Sequence, residues 1–508
     1  MALALGVLAA ALAHLGLATM AFAQSPFQPS LTDPQNQQRF GRQPDAVTRD
    51  QSISGPDPAA AGNTGFDSTG SIRRKKKKPR PGERNLGGKP APLPSPPPPS
   101  NQPPQIAARA TYADVYKPPD APVRRPLVPY GDAFEPLGVR AGDFILRPSI
   151  EVSRGYDSNP ARVPNGRSSQ FTLVTPELVA RSDWSNHELG ANLRGSYSAY
   201  DSMSSLNRPA ADAKVFGRID ASRDTKFDLE GRFSLGTDYP GSPNVGADIA
   251  QLPISTTFGG TAGVTQRFNH LELSAKATAD RTRYGASKLT DGSSFSNRDR
   301  DYNQYGGQLR AGYEFVPGLK PFAEIAADKR VHDLKLDRNG TQRDSQGLTP
   351  RIGTTFELTQ MLTGEISVGY LTRQYADPGL KALSGIVADA SLVWVASGLT
   401  TATLTASSRA EESVVAGVSG ALRRDAGLQV DHAFRRWLIG TLKFGYGFDE
   451  YVGMGREDQR TSLGAAVAYK FNREFSVKGE FRQEWMRSNT PGVDYSASVF
   501  LLGVKLQR

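Results

Sequence analysis

The sequence predicts an all-β fold: a transmembrane antiparallel up-and-down β-barrel of about 18 strands (16–18), preceded by a disordered Pro/Lys-rich segment. Three observations predict it. Eighteen stretches of alternating apolar and polar residues run from about Phe144 to Arg508. Tight turns and long polar loops alternate between them. Beyond the N-terminus no apolar run reaches the roughly 20 residues a membrane helix needs.

The alternation is clearest from Trp437 to Phe448, where Leu438, Leu442, Phe444, Tyr446 and Phe448 share one face and Thr441, Lys443, Gly445 and Gly447 share the other. A period of two is the strand period. Short connections are expected at 182–187, 223–226, 268–270, 316–319, 358–363, 396–399, 434–436 and 471–474. Long ones are expected at 158–169, 201–210, 239–253, 285–303, 331–345, 377–383, 410–421, 450–459 and 488–494. A tight turn makes the strands it joins antiparallel, so strict alternation puts every turn and both chain ends on one rim. Turns in the periplasm and loops outside is the outer-membrane arrangement, and the termini are expected to be periplasmic.

Composition supports a bilayer over a soluble sandwich. Only 38% of the 508 residues are hydrophobic, with 51 Gly and 17 Tyr. Half-buried strands alternate in soluble sheets too, but 18 such strands would be expected to split and pack on themselves.

Three regions are expected. Residues 1–23 read as a signal peptide: an apolar run ends in Ala21-Phe22-Ala23 before Gln24, a small-x-small cleavage site. The alternative is a membrane anchor, against which His14 and Thr19 interrupt the run and no charged stop-transfer flank follows. Residues 24–140 read as a disordered periplasmic segment, since Pro92–Pro104 and a scarcity of apolar residues leave too little surface to offset chain entropy. Residues 141–508 read as the barrel. Zero cysteines fit an exported barrel made without disulfides.

The tail carries most of the charge imbalance. Residues 24–140 hold 17 basic and 10 acidic side chains, leaving 44 and 41 for residues 141–508, against a whole-chain net of +10. The run Arg73, Arg74, Lys75, Lys76, Lys77, Lys78 and Arg80 is a polyanion-binding candidate. In an exported chain its targets are lipid head groups, acidic polysaccharide or cell-wall polymer, not nucleic acid. The plainer reading is a solvated linker held extended by its charge.

Two aromatic belts are expected, because amphipathic rings favour the bilayer interfaces, though strands are enriched in aromatics generally. The turn-end belt includes Phe144, Trp184, Phe227, Phe268, Phe315, Phe356, Trp394, Trp437, Phe471 and Phe475. The loop-end belt includes Tyr156, Tyr197, Tyr239, Tyr284, Tyr305, Tyr370, Tyr446, Tyr451, Trp485 and Tyr495.

With the apolar set facing lipid, the candidate pore-lining residues are Arg194, Arg218, Arg232, Lys276, Arg310, Arg351, Lys443, Lys478, Glu480 and Arg482. A basic lumen favours anions, so a mild anion preference is expected. The competing reading is that these charges pair across strands and set no selectivity. Catalysis is not expected. Among five histidines only His332 stands at the loop end of a strand, where it reads as a solvated rim residue, and an outer-membrane hydrolase needs a Ser-His or Asp-His constellation at that rim. No metal-ligand spacing or nucleotide motif occurs, and no cofactor is expected.

The segment Gly155-Tyr156-Asp157-Ser158-Asn159-Pro160, preceded by Pro148-Ser149-Ile150-Glu151-Val152, resembles the opening of the putative β-barrel porin 2 family of Gram-negative outer membranes. The resemblance covers roughly residues 144–508 and implies fold and outer-membrane location, without substrate or site residues. The C-terminus departs from many outer-membrane barrels, ending in Arg508 where an aromatic residue is read by the assembly machinery.

Three function classes follow. Barrels of 16–18 strands are wide enough for an aqueous channel, so passage of small polar solutes is the first. An export conduit for acidic polysaccharide is the second. A non-conducting envelope protein tethered by its tail is the third. The expected surroundings are outer-membrane lipid and lipopolysaccharide, with the barrel-assembly machinery needed for insertion.

Overall fold

The computed structural model describes residues 134–245, 249–359 and 361–508. The expected signal peptide and the basic run at Arg73–Arg80 lie outside the described residues. A short β1 (Val139–Ala141) folds back on β2 (Phe144–Asp157), and β3 (Ser169–Ser182), β4 (Glu188–Tyr200), β5 (Arg208–Asp220) and β6 (Thr225–Thr237) follow. After β7 (Ile249–Gln251) come β8 (Ile254–Phe268) and β9 (Leu271–Tyr284), then β10 (Ser287–Leu289) and β11 (Ser294–Phe295). The chain continues through β12 (Tyr302–Tyr313), β13 (Leu319–His332), β14 (Ser345–Thr359), β15 (Leu362–Tyr375), β16 (Leu383–Ser397) and β17 (Thr400–Glu411). It finishes with β18 (Gly420–Arg435), β19 (Leu438–Val452), β20 (Arg456–Lys470), β21 (Phe475–Ser488) and β22 (Tyr495–Gln507).

β7, β10 and β11 form a separate three-stranded sheet among the loops. Setting them and β1 aside, 18 strands pair antiparallel in chain order. β22 returns to β2, from Ser149↔Gln507 to Asp157↔Val499, and closes the ring. Closure removes the unpaired edge that no open sheet could carry into hydrocarbon. The barrel is therefore 18-stranded, with β1 as an extra pairing at the turn rim.

Parity separates two faces on every strand. Leu442, Phe444 and Tyr446 of β19 and Leu502, Val504 and Leu506 of β22 are exposed, as is Ile352 of β14 at 65%. So large an apolar exposure over a whole sheet face makes sense only against lipid. On the opposite face, charged side chains from strands that are not neighbours meet: Arg232 of β6 touches Asp280 of β9, and Arg310 of β12 touches Glu365 of β15. Only the concave side of a closed sheet brings such residues together, so the polar face lines the lumen.

Two local expectations are corrected. Residues 450–459 do not form a long loop: β19 and β20 run to Tyr451↔Arg456, leaving a tight turn with positive φ at Gly453 and Gly455. The charged run Arg456-Glu457-Asp458 is strand, because Arg456 and Asp458 share the inward face and bond each other. In the turn-end belt Trp184, Phe227, Phe268, Phe315, Trp394, Trp437 and Phe471 are exposed while Phe356 is buried, and in the loop-end belt Tyr156, Tyr197, Tyr305, Tyr370 and Tyr446 are exposed. Tyr451 and Tyr495 are buried instead, and Tyr284 is half-buried under the guanidinium of Arg300, 3.8 Å from the ring centroid. Their strand parity turns these three into the mouth rather than toward lipid, and loop residue Tyr239 bonds Tyr495 at 2.5 Å.

Candidate pore lining and loop-side constriction

The inner wall is built from rows of residues in register, and most of its cations meet a carboxylate. Arg218 pairs with Glu188 and Asp220, both at 3.3 Å. Arg310 reaches Glu365 at 2.6 Å and Glu324 at 3.6 Å, while Arg351 takes Glu324 at 3.4 Å and Asp389 at 3.3 Å. Lys478 bonds Glu480 at 3.0 Å, and Arg482 bonds Glu484 at 2.6 Å. Arg194 stands in register with Glu177 and Asp212. Lys276 and Lys443 differ: their register partners are Gly263 and Gln308, and Gln429 and Gly464.

Three further contacts share a design that sequence reading missed. Arg232 bonds Asp280 at 2.8 Å across β8, and the residue between them in register is Gly259. A Cβ on Gly259 would lie 2.0 Å from the Asp280 carboxylate. Asp328 and Arg373 meet across Gly347, and Asp425 and Arg460 meet across Gly447 at 2.9 Å. Each glycine is the clearance that lets a charge pair skip one strand. The signal would have been a lone Gly on a polar strand face, but pairing it with its flanking charges requires the register.

The loop end is drawn together across the lumen. Asn244, in the connection from β6 to β8, donates to Glu412 O at 3.3 Å and accepts from Val414 N at 3.1 Å and Ser413 Oγ at 3.3 Å. β6 and β17 stand eight places apart in the 18-strand ring, so this contact bridges nearly opposite walls. Arg330 of β13 binds the Glu412 carboxylate, and Arg343 donates to Val418 O at 3.0 Å and Val415 O at 3.2 Å. Asn339 adds a bond to Val414 O at 2.9 Å. Further round, Arg300 holds Asp238 at 2.6 Å and Arg338 holds Asp299 at 2.7 Å. A cavity of about 20 Å³ lined by Tyr284, His332, Arg343 and Glu412 remains inside, room for about one water. His332 is thus a buried member of this knot, 3.4 Å from Asp344, and not a solvated rim residue.

Electrostatics reinforce the ties. Burial works to raise the pKa of Glu412, but Arg330, His332 and Arg373 outweigh it and hold the carboxyl below its ordinary value. Burial is likewise overcome at Asp337, where the Thr341 N–H and Arg343 favour the charged form. Both are therefore carboxylates across the ordinary pH range.

A third feature is the seam where the ring closes. Asp157, Arg162 and Glu484 are 3% exposed or less at their side chains. Arg162 donates to Asp157 at 2.8 Å and, from Nε, to Glu484 at 2.8 Å. Asn159 donates to Val163 O at 2.7 Å and to Ser496 O at 3.1 Å. The Asp-x-Asn element of the first strand end is thus a clamp joining β2 to β21 and β22.

A family model described as putative beta-barrel porin 2 matches residues 132–508. The chain belongs to this family. As a member of putative beta-barrel porin 2 it is an outer-membrane β-barrel of porin type. Solved structures of similar fold include the outer membrane protein OpdK of Pseudomonas aeruginosa, at 12% identity and TM-score 0.37, covering 72% of this chain and 99% of that one. OccK2 (OpdF) of Pseudomonas aeruginosa has 12% identity and TM-score 0.38, with 72% and 97% covered. A BenF-like porin from Pseudomonas fluorescens Pf-5 has 12% identity and TM-score 0.37, with 72% and 99% covered. No curated protein sequence matches this chain.

Proposed function

We propose that this porin-family barrel is a passive channel for small polar solutes, narrowed at its loop-side mouth. The observation that carries it is the 18-strand closed wall with a polar, charged inner face, a width that holds water unless something fills it. The loop knot around Asn244 and Glu412 obstructs the mouth, and it favours a low rather than a large conductance. The turn rim and both strand ends near it face the periplasm in this reading.

Selectivity is weak in the same reading. Charge pairs between neighbouring walls cancel most of the lumen cations, and Lys276 and Lys443, flanked by neutral register partners, carry a mild anion preference. The purified barrel in a planar bilayer tests both statements: small single-channel steps, and a reversal potential toward anions that collapses in the Lys276→Gln/Lys443→Gln variant. A bilayer that stays silent would replace the channel with a closed structural barrel. A parent protein with cation preference would remove the role of the two lysines while leaving the channel.

A further inference from the structure

One ladder of the closed ring is incomplete at its loop end. The ladder between β16 and β17 runs only from Ser397↔Thr400 to Ala390↔Ala406. Beyond it, residues 383–389 of β16 pair with β15 alone, and residues 407–411 of β17 pair with β18 alone. Side chains patch the gap instead. Ser408 Oγ accepts from Ala388 N and donates to Ala388 O, both at 3.0 Å. Ser408 N donates to the Asp389 carboxylate at 3.2 Å, and Arg424 Nε donates to Ile386 O at 3.3 Å.

Past the gap the wall overlaps itself. Gly385 is on the inward face of β16, and a Cβ there would meet Leu422 Cδ2 at 2.5 Å. Leu422 belongs to the outward face of β18. The loop end of the β17–β18 hairpin is therefore tucked inside β15 and β16. Ala410 and Leu422 from the hairpin pack on Leu371, Leu383 and Val387 from the lumen side of β15 and β16, and Leu383, Val387 and Leu422 are 0–1% exposed. This apolar layer interrupts an otherwise charged inner wall. On the other side of the gap Ile386 is 64% exposed to the bilayer face.

We propose that this overlap is a lateral seam through which a single-chain amphiphile passes between the lumen and the loop-side leaflet. The hairpin swings on the intact ladder at Ala390↔Ala406. Opening it breaks the side-chain bonds across the gap and the loop ties that Arg330, Arg343, Asn339 and Asn244 make to residues 410–418, with no seven-residue stretch of backbone ladder of the kind other neighbouring strands share. An alkyl chain replaces the Leu422 contacts on Leu371 and Val387, while its head stays with the polar groups of the lumen. The inference requires the barrel and its wall, not ion conduction, so it stands or falls separately from the channel.

The chain contains no cysteine, and the Ser408 hydroxyl lies at both backbone polar atoms of Ala388, so Ala388→Cys/Ser408→Cys is positioned to bridge the gap. The probe is a photoactivatable dodecyl sulfonate added from water to the full-length protein in nanodiscs, with labelled peptides read by mass spectrometry. Labels are expected on the segments holding Leu371, Val387 and Leu422, reduced about tenfold by oxidation of the double variant and restored by reductant. Gly385→Leu, whose Cβ alone would collide with Leu422 Cδ2 at 2.5 Å and so prise the overlap apart, is expected to raise them. Small-ion conductance of the oxidised variant stays at the parent level. Labels confined to the outer belt, or unchanged both in the Gly385→Leu protein and in a double variant shown by gel mobility to be crosslinked, would overturn the seam.

Discussion

Arg232 and Asp280 sit on strands separated by a third, and they touch because the residue between them is Gly259. A side chain at that position would collide with the carboxylate 2.0 Å away. Gly259→Val is therefore expected to separate the pair and leave two buried charges without each other. Breaking one partner from a buried pair costs about 3–5 kcal/mol. Thermal unfolding in detergent should fall markedly for Gly259→Val and little for Gly479→Val, since nothing lies near a Cβ at Gly479. Equal effects at the two sites would remove the clearance role.

The clamp at the closure seam makes a second prediction. Arg162 is held at φ 55°, a left-handed conformation that a non-glycine residue adopts at a cost, by bonds to Asp157 and Glu484. Glu484→Gln keeps the shape and removes the charge, so it should destabilise the barrel by roughly 3 kcal/mol. The readout is the temperature at which the folded band is lost on a gel run with unheated samples. A variant as heat-resistant as the parent would show that the clamp does not secure the seam.

Asn244 ties nearly opposite walls through three hydrogen bonds. Asn244→Ala should release the strut and raise single-channel conductance, with wider variation between channels. Each lost neutral bond contributes only about 0.5–1.5 kcal/mol, so folding should survive. Conductance equal to the parent's would place the narrowest point elsewhere in the barrel.

The same mouth should respond to acid in one direction. Glu412 and Asp337 have folded values below those of free carboxyls, so their ties are fully present above the unfolded value near about 4. They are lost as pH falls through the lower folded values. Conductance is expected to be flat from about pH 8 to 5 and to rise only below about pH 4. A rise centred near neutrality would point to a histidine instead of these carboxylates.

Much of the wall was legible because a strand in a bilayer obeys a strict rule of two. Leu442, Lys443 and Phe444 declare their faces without reference to any other strand, and the alternation of short and long connections marks where the direction reverses. The loops obey no such rule. Arg456-Glu457-Asp458 reads as a solvated run, yet it is strand, since its alternate charges bond each other on the inner face. Tyr451 and Tyr495 look like belt residues by chain position, but parity turns them inward.

From its sequence alone this chain determined an outer-membrane β-barrel of about 18 strands and the alternation of its two faces, because side-chain alternation is a local property. Only the tertiary structure decided which charges neutralise one another, that loops from opposite walls meet, and that β17 parts from β16. Those facts depend on register and on residues far apart in the chain, such as Asn244 and Val414 or Gly385 and Leu422, and no local pattern encodes a distance between them.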